Sequence, residues 1–442
     1  MFHVTVLSNL ARAYDKYERT YDKGRIPEST FPDRFYLLRE GELKIGISKA
    51  TQLLRRNDLP GDRLIVLQTR VRTADLRRNV RSGLGRFVER RRIALARVWF
   101  VDGAGTLEPV VLEHAMACSH RTTRARLARF EDLVPRSVSI LPVARACQAR
   151  CPFCFSKASV SADIPADKPD WTRIGTVLRA ARARGAERAV ITGGGEPTLI
   201  GTDDLERLVA AARAEFSKVV LISNGAVWGR MTPNLREERL SRLVASGLSV
   251  LALSRHDSDS ERNAELMGIE TGSEHVATSV SDLEKRGIRL KLRWICVLQR
   301  SGVEDEASLR DYLDMSVAAG VGEICFKELY VSTSVDSVYH DRDENDWSLR
   351  NQVSLQLVTD FARRAGWSVS ERLPWGAPVF SGMWNGRPLR VAAYTEPSLS
   401  WELTSGVCRS WNLMVDGRCL ASLEDKESEV MGRGLRHLPT LP

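Results

Sequence analysis

Three cysteines, Cys147, Cys151 and Cys154, share the short segment ACQARCPFCF at 146–155. Thiolates at such spacing converge on one inorganic centre. An iron-sulfur cluster of the four-iron type takes four ligands, so three protein thiolates leave one iron open to something else. A structural zinc site is the competing reading, but it wants a fourth Cys or His at short spacing. The nearest histidines are His120 upstream and His256 downstream. Disulfides fit poorly: three clustered cysteines leave one unpaired, and no secretory signal is recognisable.

The elements that must position these thiols show in the periodicity that follows. From about residue 137 the chain alternates short β-rich runs with amphipathic helical stretches, a pattern that predicts a parallel sheet covered by helices. Strands are expected at 137–141, 189–192, 219–222, 249–253, 288–297 and 323–327. Between them run apolar stripes such as Ile174, Val177, Leu178 and Ala181, or Leu205, Leu208, Val209 and Ala212. Gly185, Gly247, Gly287 and Gly320 each stand just before a strand, where a helix must stop. In parallel βα architectures functional groups gather after the C-terminal ends of strands. The cysteine triplet directly follows the first strand, and the second ends in Gly193-Gly194-Gly195-Glu196-Pro197. Consecutive glycines permit close backbone approach and leave amides and carbonyls free for a ligand, although a plain tight turn reads the same way.

Cys-x3-Cys-x2-Cys with an aromatic before the last cysteine, followed by Gly-Gly-Glu after the second strand, resembles the radical S-adenosylmethionine (SAM) superfamily. The resemblance covers roughly residues 135–330 and implies an α/β fold, a partial (β/α)6 TIM-like barrel. It also implies a [4Fe-4S] cluster on Cys147, Cys151 and Cys154, whose open iron binds SAM and whose electron cleaves it to a 5'-deoxyadenosyl radical. Gly194, Gly195 and Glu196 match the motif whose backbone receives the SAM ammonium, and Ser254 matches a position that often contacts SAM. Phe153, with Phe155, would shield cluster and adenine from water. Asn224, at a strand tip, would bind ribose hydroxyls or merely initiate a turn. Arg255 and His256 face substrate or serve structure. Arg293 interrupts an apolar strand and needs an anion there, either the SAM carboxylate or an internal Asp or Glu.

After the barrel a Trp- and Pro-rich stretch at 367–401 leads to 406–419, which carries Cys408, an Asp416-Gly417 turn and Cys419. This resembles the start of SPASM and twitch extensions, which ligate auxiliary clusters. Two cysteines supply only half of a four-ligand set. Cys419 also stands closer to Gly417 than the pattern requires, and Ser422 occupies roughly the expected place. A degenerate, cluster-free extension that closes the barrel is therefore expected.

At 442 residues the chain is long enough for two or three units: an N-terminal α+β domain at 1–134, the core at 135–330 and the extension at 331–442. Hydrophobic residues at 43% and charged residues at 27% are ordinary for a globular protein. No apolar run approaches the roughly 20 residues of a membrane span, and reduced thiols point to the cytoplasm. Residues 1–135 hold 26 Lys and Arg against 16 Asp and Glu, a net of +10, so the whole-chain net of +9 belongs to this third. Its densest part, 70–97, is a solvated face or a grip for phosphates or an acidic peptide. A helix is expected at 10–23 and strands at 64–67 and 94–101.

The expected activity is radical hydrogen abstraction from a peptide or amino-acid-type substrate in natural-product maturation, with a one-electron reductant such as a flavodoxin or ferredoxin as partner. The alternatives are a small sugar or nucleoside, or nucleic acid on the strength of charge alone. From another class, the alternative is a non-catalytic iron-sulfur or zinc protein.

Overall fold

The computed structural model describes residues 128–431 apart from 166–167, 333–336 and 398, and, before them, the backbone of five strands. Met1–Leu127 form one compact unit; Ala128–Ser332 and Asp336–Pro442 belong to the other. In the first unit β1 (Phe2–Leu7), β2 (Phe35–Leu38), β3 (Leu64–Thr69), β4 (Leu95–Val101) and β5 (Leu107–Leu112) form a sheet in the order β2-β1-β3-β4-β5. Both expected strands are present, and they pair in parallel. The expected helix at 10–23 and most of the basic stretch lie outside the described residues.

In the second unit a short strand, β6 (Val134–Pro135), precedes six parallel strands: β7 (Val138–Leu141), β8 (Ala189–Ile191), β9 (Val219–Ser223), β10 (Val250–Ser254), β11 (Lys291–Leu298) and β12 (Glu323–Glu328). They stand side by side in sequence order. The helices between them are α1 (Trp171–Ala183), α2 (Thr202–Glu215), α3 (Pro233–Ala245), α4 (Ser260–Met267), α5 (Ser273–Lys285) and α6 (Glu306–Ala318). Helix α1 starts where the Asp170 carboxylate accepts the Arg173 N–H at 2.9 Å. It buries Ile174, Val177, Leu178 and Ala181 against the sheet, and ends before Gly185 at φ +106°. That left-handed angle is what glycine tolerates without strain.

The C-terminal segment does more than cap this array. β13 (Ser368–Arg372), β14 (Pro378–Trp384) and β15 (Arg387–Tyr394) form a meander whose last strand pairs in parallel with β12. A two-residue strand, β16 (Val407–Cys408), pairs with β6. Beyond it β17 (Trp411–Met414) pairs in parallel with β7 and turns at Asp416-Gly417 into β18 (Cys419–Leu420), which β19 (Glu429–Met431) follows. Eight neighbouring strands, β15 to β17 through the six, thus run parallel among the described residues. Between β15 and β17 no ladder forms; Glu396 bridges the gap by ion pairs to Lys327 and Arg409.

Charge rather than apolar packing organises the N-terminal end of the array. Glu323, 6% exposed, accepts from Arg293 at 2.7 Å, Lys291 at 2.6 Å and Arg390 at 3.2 Å. Burial works to raise its pKa, but Arg293 and Lys291 outweigh that and hold it at about 2. Replacing one member of such a set leaves uncompensated buried charge. Glu323→Ala should lower the unfolding free energy by about 3–5 kcal/mol, and adding Arg293→Met to it should recover part of the loss; chemical denaturation of both variants measures this.

Candidate functional site

The cysteine loop leaves the last residue of β7 and is fastened on two sides. On one side lies the glycine turn after β8, where the Gly195 N–H donates to the Val143 carbonyl at 2.9 Å and the Glu196 N–H to the Ala146 carbonyl at 2.8 Å. This contact is closer than any side chain permits. A Cβ on Gly194 would stand 2.4 Å from the Ala144 oxygen, and one on Gly195 would stand 2.0 Å from the Ala146 oxygen. On the other side the Arg150 N–H donates to the Met267 carbonyl at 2.7 Å, at the end of α4.

Glu196 is 3% exposed, and its carboxylate faces inward. One oxygen accepts from the Thr198 N–H at 3.1 Å, the Thr198 hydroxyl at 2.8 Å and the Ser223 hydroxyl at 2.7 Å; the other accepts from the Asn224 N–H at 2.8 Å. The side chain therefore ties the turn after β8 to the turn after β9. Asn224 carries the tie onward. Its Oδ1 accepts from the Ala226 N–H at 2.9 Å, as a turn initiator would, while Nδ2 donates to Cys147 Sγ at 3.7 Å and to Gln148 Oε1 at 3.3 Å.

The three thiols differ in surroundings. Cys147 is exposed, whereas Cys151 and Cys154 are half-buried. Burial, reinforced by the two neighbouring sulfurs, pushes the Cys151 thiol up to about 12. Three thiolates so placed need a compensating cation, and iron or zinc supplies one. Among the described residues no three Cys, His, Asp or Glu side chains are close enough to share a single metal ion. The donor set fits a [4Fe-4S] cluster.

Aromatic side chains wall the third cysteine. Phe153 meets His256 edge-on at 5.0 Å and Trp347 at 5.7 Å, while Phe155 contacts Tyr330 at 5.5 Å and Tyr339 at 5.1 Å. Buried Glu424 accepts from the hydroxyls of Ser332 and Ser337, each at 2.7 Å, and from Tyr330, which anchors this wall to the C-terminal segment. Tyr330, Tyr339, Trp347 and Glu424 went unremarked in the sequence because they carry no motif. The one available signal was an aromatic two residues beyond β12.

Other sequence candidates fall elsewhere. Arg293 stands third in β11, near the strand start and away from the cysteine loop, and its anion is Glu323 rather than a ligand. Of its two sequence readings, the internal carboxylate is the one realised. Arg255 is 1% exposed and held by Glu274 at 2.6 Å and the Ser258 carbonyl at 2.9 Å. His256 is likewise buried, and burial, helped by Arg255, drops its imidazole to about 3. Its Nδ1 accepts from the Val297 N–H at 3.0 Å, which puts the ring proton on Nε2. Both side chains are buried, with His256 against Phe153 of the cysteine loop. Ser254 ends β10, half-buried. Cys408 and Cys419 are fully buried in the core, where burial raises both thiols, Cys419 to about 12.

Residues 141–304 match the family model described as the Radical SAM superfamily. The chain carries a radical SAM domain, the core of a superfamily of enzymes that use a [4Fe-4S] cluster and SAM. No curated protein matches the chain. Among solved structures, SuiB of Streptococcus suis bound to precursor peptide SuiA aligns at 16% identity and TM-score 0.44, covering 70% of this chain and 64% of that one. Methylornithine synthase (PylB) aligns at 11% identity and TM-score 0.36, covering 74% and 73%. Native anSMEcpe with bound AdoMet and Cp18Cys peptide aligns at 16% and 0.35, covering 52% and 61%. The chain thus spans less than two thirds of the SuiB chain. Among the described residues no helix is long and apolar enough to cross a membrane.

The close contact at Gly195 gives a direct test. Gly195→Ala should lower the iron bound after anaerobic reconstitution at least severalfold while far-UV circular dichroism is retained. Gly322→Ala, whose Cβ would meet nothing nearer than 3.6 Å, should bind iron like the parent protein.

Proposed function

We propose that this protein is a radical SAM enzyme in which Cys147, Cys151 and Cys154 hold the cluster and the turn Gly194-Gly195-Glu196 borders the SAM site. The observation that carries this reading is the backbone latch between the glycine turn and the cysteine loop, which places both elements at the C-terminal ends of adjacent parallel strands. When bound, the cluster and SAM supply an electron and a 5'-deoxyadenosyl radical that abstracts hydrogen from an unactivated carbon.

The chain's own part is positioning and exclusion. Burial raises the Cys147 thiol, and the Asn224 amide, which donates to its Sγ, works against that rise. Glu196, its carboxylate consumed by Ser223, Thr198 and Asn224, holds two strand-tip turns in one arrangement rather than meeting a ligand by its side chain. Phe153 and Phe155 with their aromatic partners narrow the approach of water to the half-buried third cysteine, and a radical is protected by such exclusion. The protein thus orients and shields, and the cofactors do the bond breaking.

A peptide or amino-acid-type substrate is the favoured class. It rests on the likeness of 406–419 to SPASM and twitch segments and on the basic N-terminal third. An auxiliary cluster is not part of this reading, since Cys408 and Cys419 lie buried among core side chains. A flavodoxin or ferredoxin would deliver the electron.

Anaerobic reconstitution should give about four irons per chain, and SAM with dithionite should yield 5'-deoxyadenosine. Cys147→Ala, Cys151→Ala and Cys154→Ala should each lose both. Iron content near twice that value would overturn the cluster-free extension, and absence of 5'-deoxyadenosine from the iron-loaded protein would overturn the enzyme reading. A peptide substrate should raise 5'-deoxyadenosine formation above the substrate-free rate and transfer deuterium to it, where nucleosides do not.

A further inference from the structure

A cavity of about 200 Å³ opens at the other end of the barrel from the cysteine loop. Part of its polar lining comes from residues at or just before strand starts. Ser137 precedes β7, Arg188 precedes β8, Lys218 precedes β9, and Glu323 opens β12. Toward the strand ends its wall is apolar, with Val190, Val220 and Ile222 in a cluster with Val250, Ala252 and Ile295.

The charge lining it does not balance: Arg188, Lys218, Arg293, Arg390 and Arg409 stand against Glu323 and Glu371, and ion pairs tie several of these to charged groups outside the lining. Glu323 and Glu371 are shared among Lys291, Arg293 and Arg390, and Glu396 among Lys327 and Arg409. Each of these two networks already holds one more cation than carboxylate. Arg188 and Lys218 line the same space, and among the described residues neither side chain has a hydrogen bond or ion pair. Burial lowers the pKa of both, and the next cations push in the same direction: Arg409 on Arg188, Arg293 on Lys218. Arg188 is half-buried and Lys218 stands exposed at the rim, and an anion between them would relieve the repulsion from the neighbouring cations.

The same wall holds an aromatic pair. Trp375 lines the cavity beside Tyr394, ring centroids 6.0 Å apart, and its Nε1 is shielded from solvent without any hydrogen-bond partner. A buried indole N–H normally has one.

We propose that the N-terminal mouth of the barrel is an anion site that takes a phosphomonoester, with Arg188 and Lys218 on the phosphate and the Trp375–Tyr394 wall beside its organic part. Two unpaired cations match a phosphate dianion, and the planar guanidinium of Arg188 suits bidentate contact with its oxygens. The space exceeds what a bare phosphate fills, which leaves room for a small polar group against the aromatic wall. The site gathers residues from the strand starts, while Thr192 in its lining directly precedes the glycine turn.

Calorimetric titration of the reconstituted holoenzyme tests it, with glycerol 3-phosphate, inorganic phosphate and succinate at matched ionic strength. Glycerol 3-phosphate should bind more tightly than inorganic phosphate. Arg188→Gln and Lys218→Gln should each weaken it at least fivefold, whereas Lys285→Gln, on an exposed helix surface, should not. Iron content and substrate-free 5'-deoxyadenosine formation should be unchanged in all three, which separates loss of the anion site from misfolding and from failure of the radical SAM reading. Absence of binding, binding indifferent to Arg188→Gln and Lys218→Gln, or tighter binding of succinate would each overturn the proposal.

Discussion

The backbone-to-backbone contact between the glycine turn after β8 and the cysteine loop after β7 is the constraint on which the site depends. Side chains would hold the two loops apart; Gly194 and Gly195 let carbonyls of residues 143–146 approach to where a Cβ would otherwise stand. Two amide hydrogen bonds then fix the loop's height above the sheet. Everything further out follows from that fixed point. Asn224 reaches Cys147 because Glu196 holds its backbone, and the aromatic wall closes on Cys154 because the loop presents Phe153 and Phe155 to it.

The barrel divides its chemistry by end. At the C-terminal ends of the strands lie thiols, glycines and aromatic rings; at the N-terminal ends lie arginines, lysines and the carboxylates that partly neutralise them. An apolar layer from β8 to β11 stands between them. This separation lets a densely charged region coexist with a thiol site bordered by aromatic rings.

Closure is achieved by different means on the two sides of the array. Backbone ladders join β15 to β12 and β17 to β7, but the gap between β15 and β17 carries ion pairs through Glu396 instead. The same C-terminal segment sends Glu424 back to anchor Tyr330 and the serines beside it. One stretch of chain thus completes the sheet, spans its seam and steadies the wall over the third cysteine.

Much of this was legible in the sequence, for a local reason. The six core strands and their helices follow from periodicity and from glycines at helix ends, and the cysteine triplet and the Gly-Gly-Glu turn are contiguous, so their placement after β7 and β8 needs only the order of elements. Pairing decided the rest. Strand periodicity cannot tell that β15 and β17 would run parallel to the outer strands, because both partners lie far away in the chain. Nor can it tell that Arg293 would meet Glu323 across adjacent strands, a contact set by register. Arg255 and His256 follow a strand as site residues do, yet packing against α5 and β11 turned them inward. The cations at the N-terminal mouth are scattered singly through the sequence and become a cluster only when the barrel brings their strand starts together.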